Sequence, residues 1–246
     1  MIRPAAIFKN GMILQRNSIS IIWGESDAKK IEIEFFGKKY TTNCSNNKWQ
    51  IDIQTETSDN PLSMKISACS VSGECLETIV ISDILLGEVW LAGGQSNMEL
   101  ELQNSQDGIR VVKESNYPLI RFYNVPKVSV LGKELAAAER DSVWKPAVSF
   151  LCKDVSAVAY YFARRLYEKL QVPIGIIGCY WGGTSATCWM DESSVTNIKE
   201  VNEYITGWKK EIHDKTDRDY DMQMEAYNSR FDLWNQGVNE LKKKDT

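Results

Sequence analysis

Histidine is nearly absent: the 246 residues contain one, His213. The six cysteines, Cys44, Cys69, Cys75, Cys152, Cys179 and Cys188, include no C-x-x-C pair. The usual ligand spacings of a zinc site are therefore missing, and neither a metal nor another cofactor is expected. No apolar run approaches the roughly 20 residues that cross a bilayer, so a membrane partner is not expected. The N-terminus, MIRPAAIFKNGMILQRN, has one early Arg and no sustained apolar stretch, which is not the pattern of a signal peptide. As it stands the chain reads as cytoplasmic, or as exported if a signal was removed before this numbering begins. Without an export signal, the cysteines read as free thiols. Positive charge is not in excess either. The net charge is −4 with the signs interspersed, which argues against nucleic acid as a partner.

What is present is ordinary globular composition, 43% hydrophobic and 25% charged, and neither disorder nor low complexity follows from it. The length suits one large domain or two modest ones. Residues 1–83 predict an all-β domain. Ser18 to Gly24, Lys30 to Gly37, Trp49 to Gln54 and Met64 to Ala68 alternate apolar and polar residues, separated by Gly, Asn, Asp and Ser clusters. This is the pattern of an antiparallel β-sandwich.

After Asp83 the pattern changes. Leu85–Ala92 predicts a strand buried on both faces. Asp107–Glu114 predicts a short helix, Leu119–Val125 a strand, and 127–150 an irregular excursion. A helix follows, with Val158, Phe162, Leu166 and Leu170 as its apolar stripe and Asp154 as its N-cap. Val172–Gly178 then predicts a second buried strand. Alternating strand, helix and strand imply an α/β fold with a parallel sheet. From about Ser193 the chain turns helical. Val201, Ile205, Trp208 and Ile212, then Met224, Tyr227, Phe231, Trp234, Val238 and Leu241, step by three and four, so 193–246 predicts a helical hairpin insertion. The domains expected are 1–83 and 84–246.

Two glycine-rich turns fall where such strands end: Gly93-Gly94-Gln95-Ser96-Asn97 and Trp181-Gly182-Gly183-Thr184. Open α/β sheets place ligands at the carboxyl ends of their strands. Glycine lets a substrate approach the backbone closely. A serine in a strand-to-helix turn can expose its hydroxyl beside backbone donors, as an acyl-transfer nucleophile requires. The first turn is neither a P-loop, since no Gly-Lys-Ser/Thr follows, nor G-x-S-x-G, since Asn97-Met98 follow the serine. On the residues alone, nucleophile, structural turn and anion-binding turn all stand.

The ordered set of motifs resembles the sialate O-acetylesterase family of carbohydrate esterases, a branch of the SGNH (GDSL-like) hydrolases. Asn10-Gly11-Met12-Ile13-Leu14-Gln15-Arg16 resembles the family's N-terminal signature, and ILLGEVWLAGGQSNM (84–98) its nucleophile block. Tyr117–Arg121, Ser156–Phe162, Val172–Gly175 and Trp181–Trp189 resemble later blocks. The resemblance implies an antiparallel β-sandwich followed by an SGNH-type α/β/α domain, acting on an O-acetylated carbohydrate such as sialic acid or acetylated xylan. It implies Ser96 as the nucleophile, with its own N–H as an oxyanion donor. Gly182 or Gly183 is the candidate for another donor or for lining the acetyl site. Gln95, in the same turn, is a further candidate for the oxyanion or substrate lining, with holding the turn by hydrogen bonds as its other expected role. Trp181 and Trp189 are candidates for stacking on a sugar, with core packing as the alternative.

The family's late blocks, a Gln-Gly-Glu-like one and an Asp/His one that supplies the base, do not occur in these residues. His213 lies between two amphipathic segments and reads as a solvated residue at a helix end; adjacent Asp214 points to a different face. The expectation is therefore the N-terminal portion of a longer esterase whose incomplete sheet leaves an apolar edge, prone to self-association or to pairing with the missing half. Two other readings remain: a non-catalytic carbohydrate-binding protein or pseudoenzyme, and a structural partner that assembles through the 196–244 seam.

Overall fold

The computed structural model describes residues 1–128 and 133–244. They form two compact units, Met1–Thr184 and Ser185–Thr246. The first unit opens with eight strands: β1 (Ile2–Pro4), β2 (Ile13–Gln15), β3 (Ile19–Ser26), β4 (Lys30–Phe35), β5 (Lys38–Asn43), β6 (Lys48–Gln54), β7 (Leu62–Cys69) and the long β8 (Cys75–Gly94). It continues with α1 (Ser96–Glu99), α2 (Gly108–Glu114), β9 (Asn116–Asn124), α3 (Lys133–Asp141), β10 (Trp144–Val148), α4 (Ala157–Leu170) and β11 (Ile174–Tyr180).

The alternating segments form the strands expected of them. In β6, Trp49, Ile51 and Ile53 point inward while Lys48, Gln50, Asp52 and Gln54 face out. One sheet has the order β1-β3-β6, all antiparallel. The other runs β10-β9-β11-β8-β7-β4-β5, with β2 also on β8. Ile22, Ile51 and Ile53 of the first sheet share one apolar core with Ile31, Ile33, Phe35, Met64 and Ile66 of the second. Burying each such side chain contributes about 1.5–3 kcal/mol relative to exposing it.

β8 joins the two halves. Its first part pairs antiparallel with β7, Leu85–Gly87 pairs with β2, and Glu88–Gly94 pairs in parallel with β11. The expected boundary at residue 83 thus falls within this strand, at Asp83, whose φ of +58° marks a kink. The buried Arg121 fastens it. Its guanidinium donates to the carbonyls of Gly11 and Asp83, each at 2.8 Å, and to Asp83 Oδ1 at 3.0 Å. Beside it, Gln15 and Arg16 both hold the Glu88 carboxylate, at 3.0 and 2.8 Å. Three motif patches far apart in sequence meet in this one polar network.

Several expectations are corrected. The strand at 85–92 is not buried on both faces: Leu85 and Leu86 are, but Trp90 and Leu91 are exposed, Leu91 by 71%. Beyond Gly87, β8 has β11 on one side and no strand on the other among the described residues. The stripe on α4 is also different. Ala157, Ala159, Tyr160 and Ala163 face the core, while Val158, Phe162 and Leu170 are exposed. Small residues let this helix lie close on the sheet, which the larger stripe would prevent. Its N-cap is Ser156, whose Oγ accepts from Ala159 N at 3.2 Å; Asp154 instead pairs with Lys145. The stretch 127–150 is not irregular, since it carries α3 and β10, although 129–132 lie outside the described residues.

The second unit contains α5 (Glu192–Val195), α6 (Lys199–Ile212) and α7 (Asp217–Lys244). The expected seam lies on α6 and α7, joined by a short link, but Trp208, Ile212, Met224, Tyr227, Phe231 and Trp234 are exposed. The seam is thus not closed as in a packed hairpin. On α7 the Tyr227, Phe231 and Trp234 rings stack along one face at 6.1 and 5.9 Å. No described helix is long and apolar enough to cross a membrane. All six cysteines are free thiols.

Candidate active site

The turn after β8 is built by backbone register. Parallel pairing places Tyr180 opposite Gly94, and Trp181 N–H then donates to the Gly94 carbonyl at 3.0 Å. The two glycine-rich turns are therefore neighbours at the carboxyl ends of adjacent strands. Gly94 has φ +148°, a conformation that side chains rarely adopt, and it turns the chain out of the strand. Ser96 opens the one-turn helix α1 and is exposed.

Gln95 shapes the turn. Its Oε1 accepts from Ser96 N–H at 3.1 Å and from Ser96 Oγ at 2.6 Å. An amide oxygen holds a hydroxyl proton but does not remove it at neutral pH, so this contact orients the serine without activating it. Gly182 lies directly across from the hydroxyl: a Cβ built there would be 3.5 Å from Ser96 Oγ. The contact that a Cβ at 182 could not make without a shift is with the Glu99 carboxylate, 2.6 Å away. Gly183 has φ +79° and no atom within 4 Å of such a Cβ, so it supplies the turn and faces open space.

Two residues that the sequence reading passed over complete the site. The Glu99 carboxylate accepts from Gly182 N–H with one oxygen and pairs with Lys127 Nζ through the other. The Lys127 partner, opposed by partial burial and aided by the Gly182 N–H, holds the Glu99 carboxyl below the usual carboxylate range. Lys127 also stands 5.4 Å from the centre of the Tyr180 ring. Tyr180 is buried and donates to Asn124 Oδ1 at 3.1 Å, and burial pushes its phenol up to about 12. Glu99 sits three residues after Ser96, on the same helix face, which is a legible signal; nothing local in the sequence marks Lys127.

The remaining candidates are all exposed. Trp181 is 39% exposed at the start of the second turn, and Trp189 is exposed on a 3-10 turn of the second unit. His213 caps the C-terminal end of α6, with Nδ1 2.8 Å from Asp214 Oδ1 and a side chain 80% exposed. The expectation that its neighbour would point elsewhere is corrected: past the last turn of α6, Asp214 reaches the ring. No described cluster of His, Cys, Asp and Glu is arranged to hold a metal ion.

No family model matches the chain. It is 28% identical over 202 residues to the sialate O-acetylesterase of Mus musculus, across 76% of this chain and 37% of that protein. The corresponding protein of Homo sapiens is 27% identical over 208 residues, across 78% and 39%. A solved carbohydrate acetylesterase from Xanthomonas citri superposes with a TM-score of 0.69 at 31% identity, across 81% of this chain and 45% of that one. The chain thus spans less than half the length of each relative. Sequence and structure point the same way: over about three quarters of its length this chain is similar to sialate O-acetylesterases and to a carbohydrate acetylesterase.

Proposed function

We propose that the chain is the nucleophile-bearing part of a carbohydrate O-acetylesterase, an antiparallel β-sandwich (1–83) followed by part of an SGNH-type α/β/α domain (84–246). The observation that carries this reading is the juxtaposition of an exposed Ser96 hydroxyl with the glycine at 182. In the reaction, Ser96 Oγ attacks the acetyl carbonyl and its proton passes to a base. The carbonyl oxygen becomes an oxyanion stabilised by backbone N–H groups, the sugar hydroxyl leaves, and water then releases acetate. The base is proposed to come from an Asp/His block outside residues 1–246. Near Ser96 the described hydroxyl contact is an amide oxygen, which cannot fill that role.

The test is hydrolysis of 4-nitrophenyl acetate by the chain, alone and with the part of the curated relatives that it does not cover. Turnover is expected only in the mixture. Ser96→Ala is expected to lower it by about a thousandfold or more. Turnover that survives Ser96→Ala refutes Ser96 as nucleophile. Ser96-dependent turnover by the chain alone would place the base within it, and His213→Ala is then the next variant. A second reading, a carbohydrate-binding protein without catalysis, is favoured by the same unactivated hydroxyl. It predicts glycan binding and no turnover in either sample.

A further inference from the structure

Glu99 occupies the Gly182 N–H, a donor that the esterase reading offers to the substrate. Its carboxylate lies on the N–H of Gly182, the glycine against Ser96 Oγ. Its other oxygen lies on the Lys127 ammonium. One backbone donor and one cation on the two oxygens of a single carboxylate are what a free carboxylate would engage, through charge-assisted hydrogen bonds. A Cβ at Gly182 would lie 2.6 Å from the nearer carboxylate oxygen, so glycine is required for this contact. The carboxylate and the nucleophile hydroxyl thus crowd the same face of one residue.

Resting on the esterase reading of this site, we infer that Gly182 N–H and Lys127 Nζ form a binding site for a small carboxylate, with acetate as its ligand, and that Glu99 is its built-in occupant. Glu99 closes the site and holds the Gly182 donor until a ligand displaces it. Acetate, the product of deacetylation, then competes with Glu99 rather than with water. A tethered group competes at an effective concentration on the order of millimolar or above, so the intact chain binds free acetate weakly.

The experiment is an acetate titration of the full chain, followed by the ¹⁵N and ¹H shifts of the Gly182 amide, in wild type, Glu99→Ala and Glu99→Gln. Acetate is expected to bind Glu99→Ala at least about tenfold more tightly than wild type. Adding Lys127→Met to Glu99→Ala should weaken it again by about tenfold, and neutral acetamide should not move the resonance. If Glu99→Ala does not fold, Glu99→Gln decides, because it keeps the shape of α1 but releases Lys127; it too should bind more tightly than wild type. Equal acetate response in wild type and the folded Glu99 variants, or none in any of them, overturns the inference. The assay of Ser96-dependent hydrolysis is run on the same variants mixed with the part of the curated relatives that the chain does not cover. Hydrolysis without a difference in acetate binding overturns the latch and leaves the esterase. Tighter acetate binding without hydrolysis supports the latch and removes the esterase.

Discussion

Tyr180 shows how a single side chain couples the sheet to the site. It ends β11, its backbone registers with Gly94, and its ring lies beneath the Lys127 ammonium that pairs with Glu99. Burial disfavours the phenolate, which puts the folded pKa at about 12 against about 10 for an unperturbed tyrosine. The group is thus raised in the folded state. Its contribution is full below about pH 10 and is lost as pH rises through about 12, up to roughly 3 kcal/mol in all. Urea midpoints measured across this window should fall faster for wild type than for Tyr180→Phe. Parallel pH curves for the two proteins would mean that the phenol is not held in an apolar setting. The carboxylate above it has the opposite sign. Glu99 is held below the usual range, so its pairing is present at neutral pH and is lost as the solution is acidified through its folded pKa.

At the scale of elements, α4 and β8 are where local pattern and packing part company. The sequence of α4 offers a large aliphatic stripe, yet the sheet takes the alanine face. Tyr160 completes that face with a hydrogen bond from its OH to Ser115 Oγ at 3.0 Å. Phe162, left outside, packs edge-on against Trp90 at 5.2 Å. The N-cap follows the same logic. Both Asp154 and Ser156 are residue types that cap helices, but only Ser156 stands one position before the first helical residue with its Oγ on Ala159 N. Ser156→Ala should therefore cost about 1 kcal/mol in chemical denaturation. Asp154→Ala removes only a half-exposed ion pair and should cost less than that. The reverse order would show that Asp154 is the true cap.

On the scale of the molecule, the main consequence is the open side of β8. From Trp90 to Gly94 its strand partner among the described residues is β11 on one side, with Leu91 71% exposed, and this edge leads straight into the Ser96 turn. A free parallel edge with an apolar residue on it recruits another strand. The chain is thus expected to self-associate at high concentration. Leu91→Lys should shift sedimentation-velocity profiles toward monomer without lowering the thermal midpoint. Association unchanged by Leu91→Lys would direct attention to the exposed α7 face instead. The expectation of an uncovered apolar edge came from the family's late blocks not occurring in these residues; among the described residues, β8 beyond Gly87 has a strand on one side only.

What the sequence determined by itself is what local chemistry can specify. Period-two alternation placed β3, β4, β6 and β7, because a strand sends successive side chains to opposite faces. Glycine pairs placed the two turns, because few other residues take those backbone angles. Motif order pointed to Ser96 and to the family resemblance. What only the tertiary structure decided are relations between distant residues. The carboxylate of Glu99 meets the N–H of Gly182 across 83 positions, and Arg121 reaches Gly11 across 110. Neither local period nor composition encodes such a meeting, because parallel register and helix-on-sheet packing bring the partners together. For the same reason the buried face of α4 and the free edge of β8 escaped the pattern: a helix or strand acquires its inside only from what lies against it.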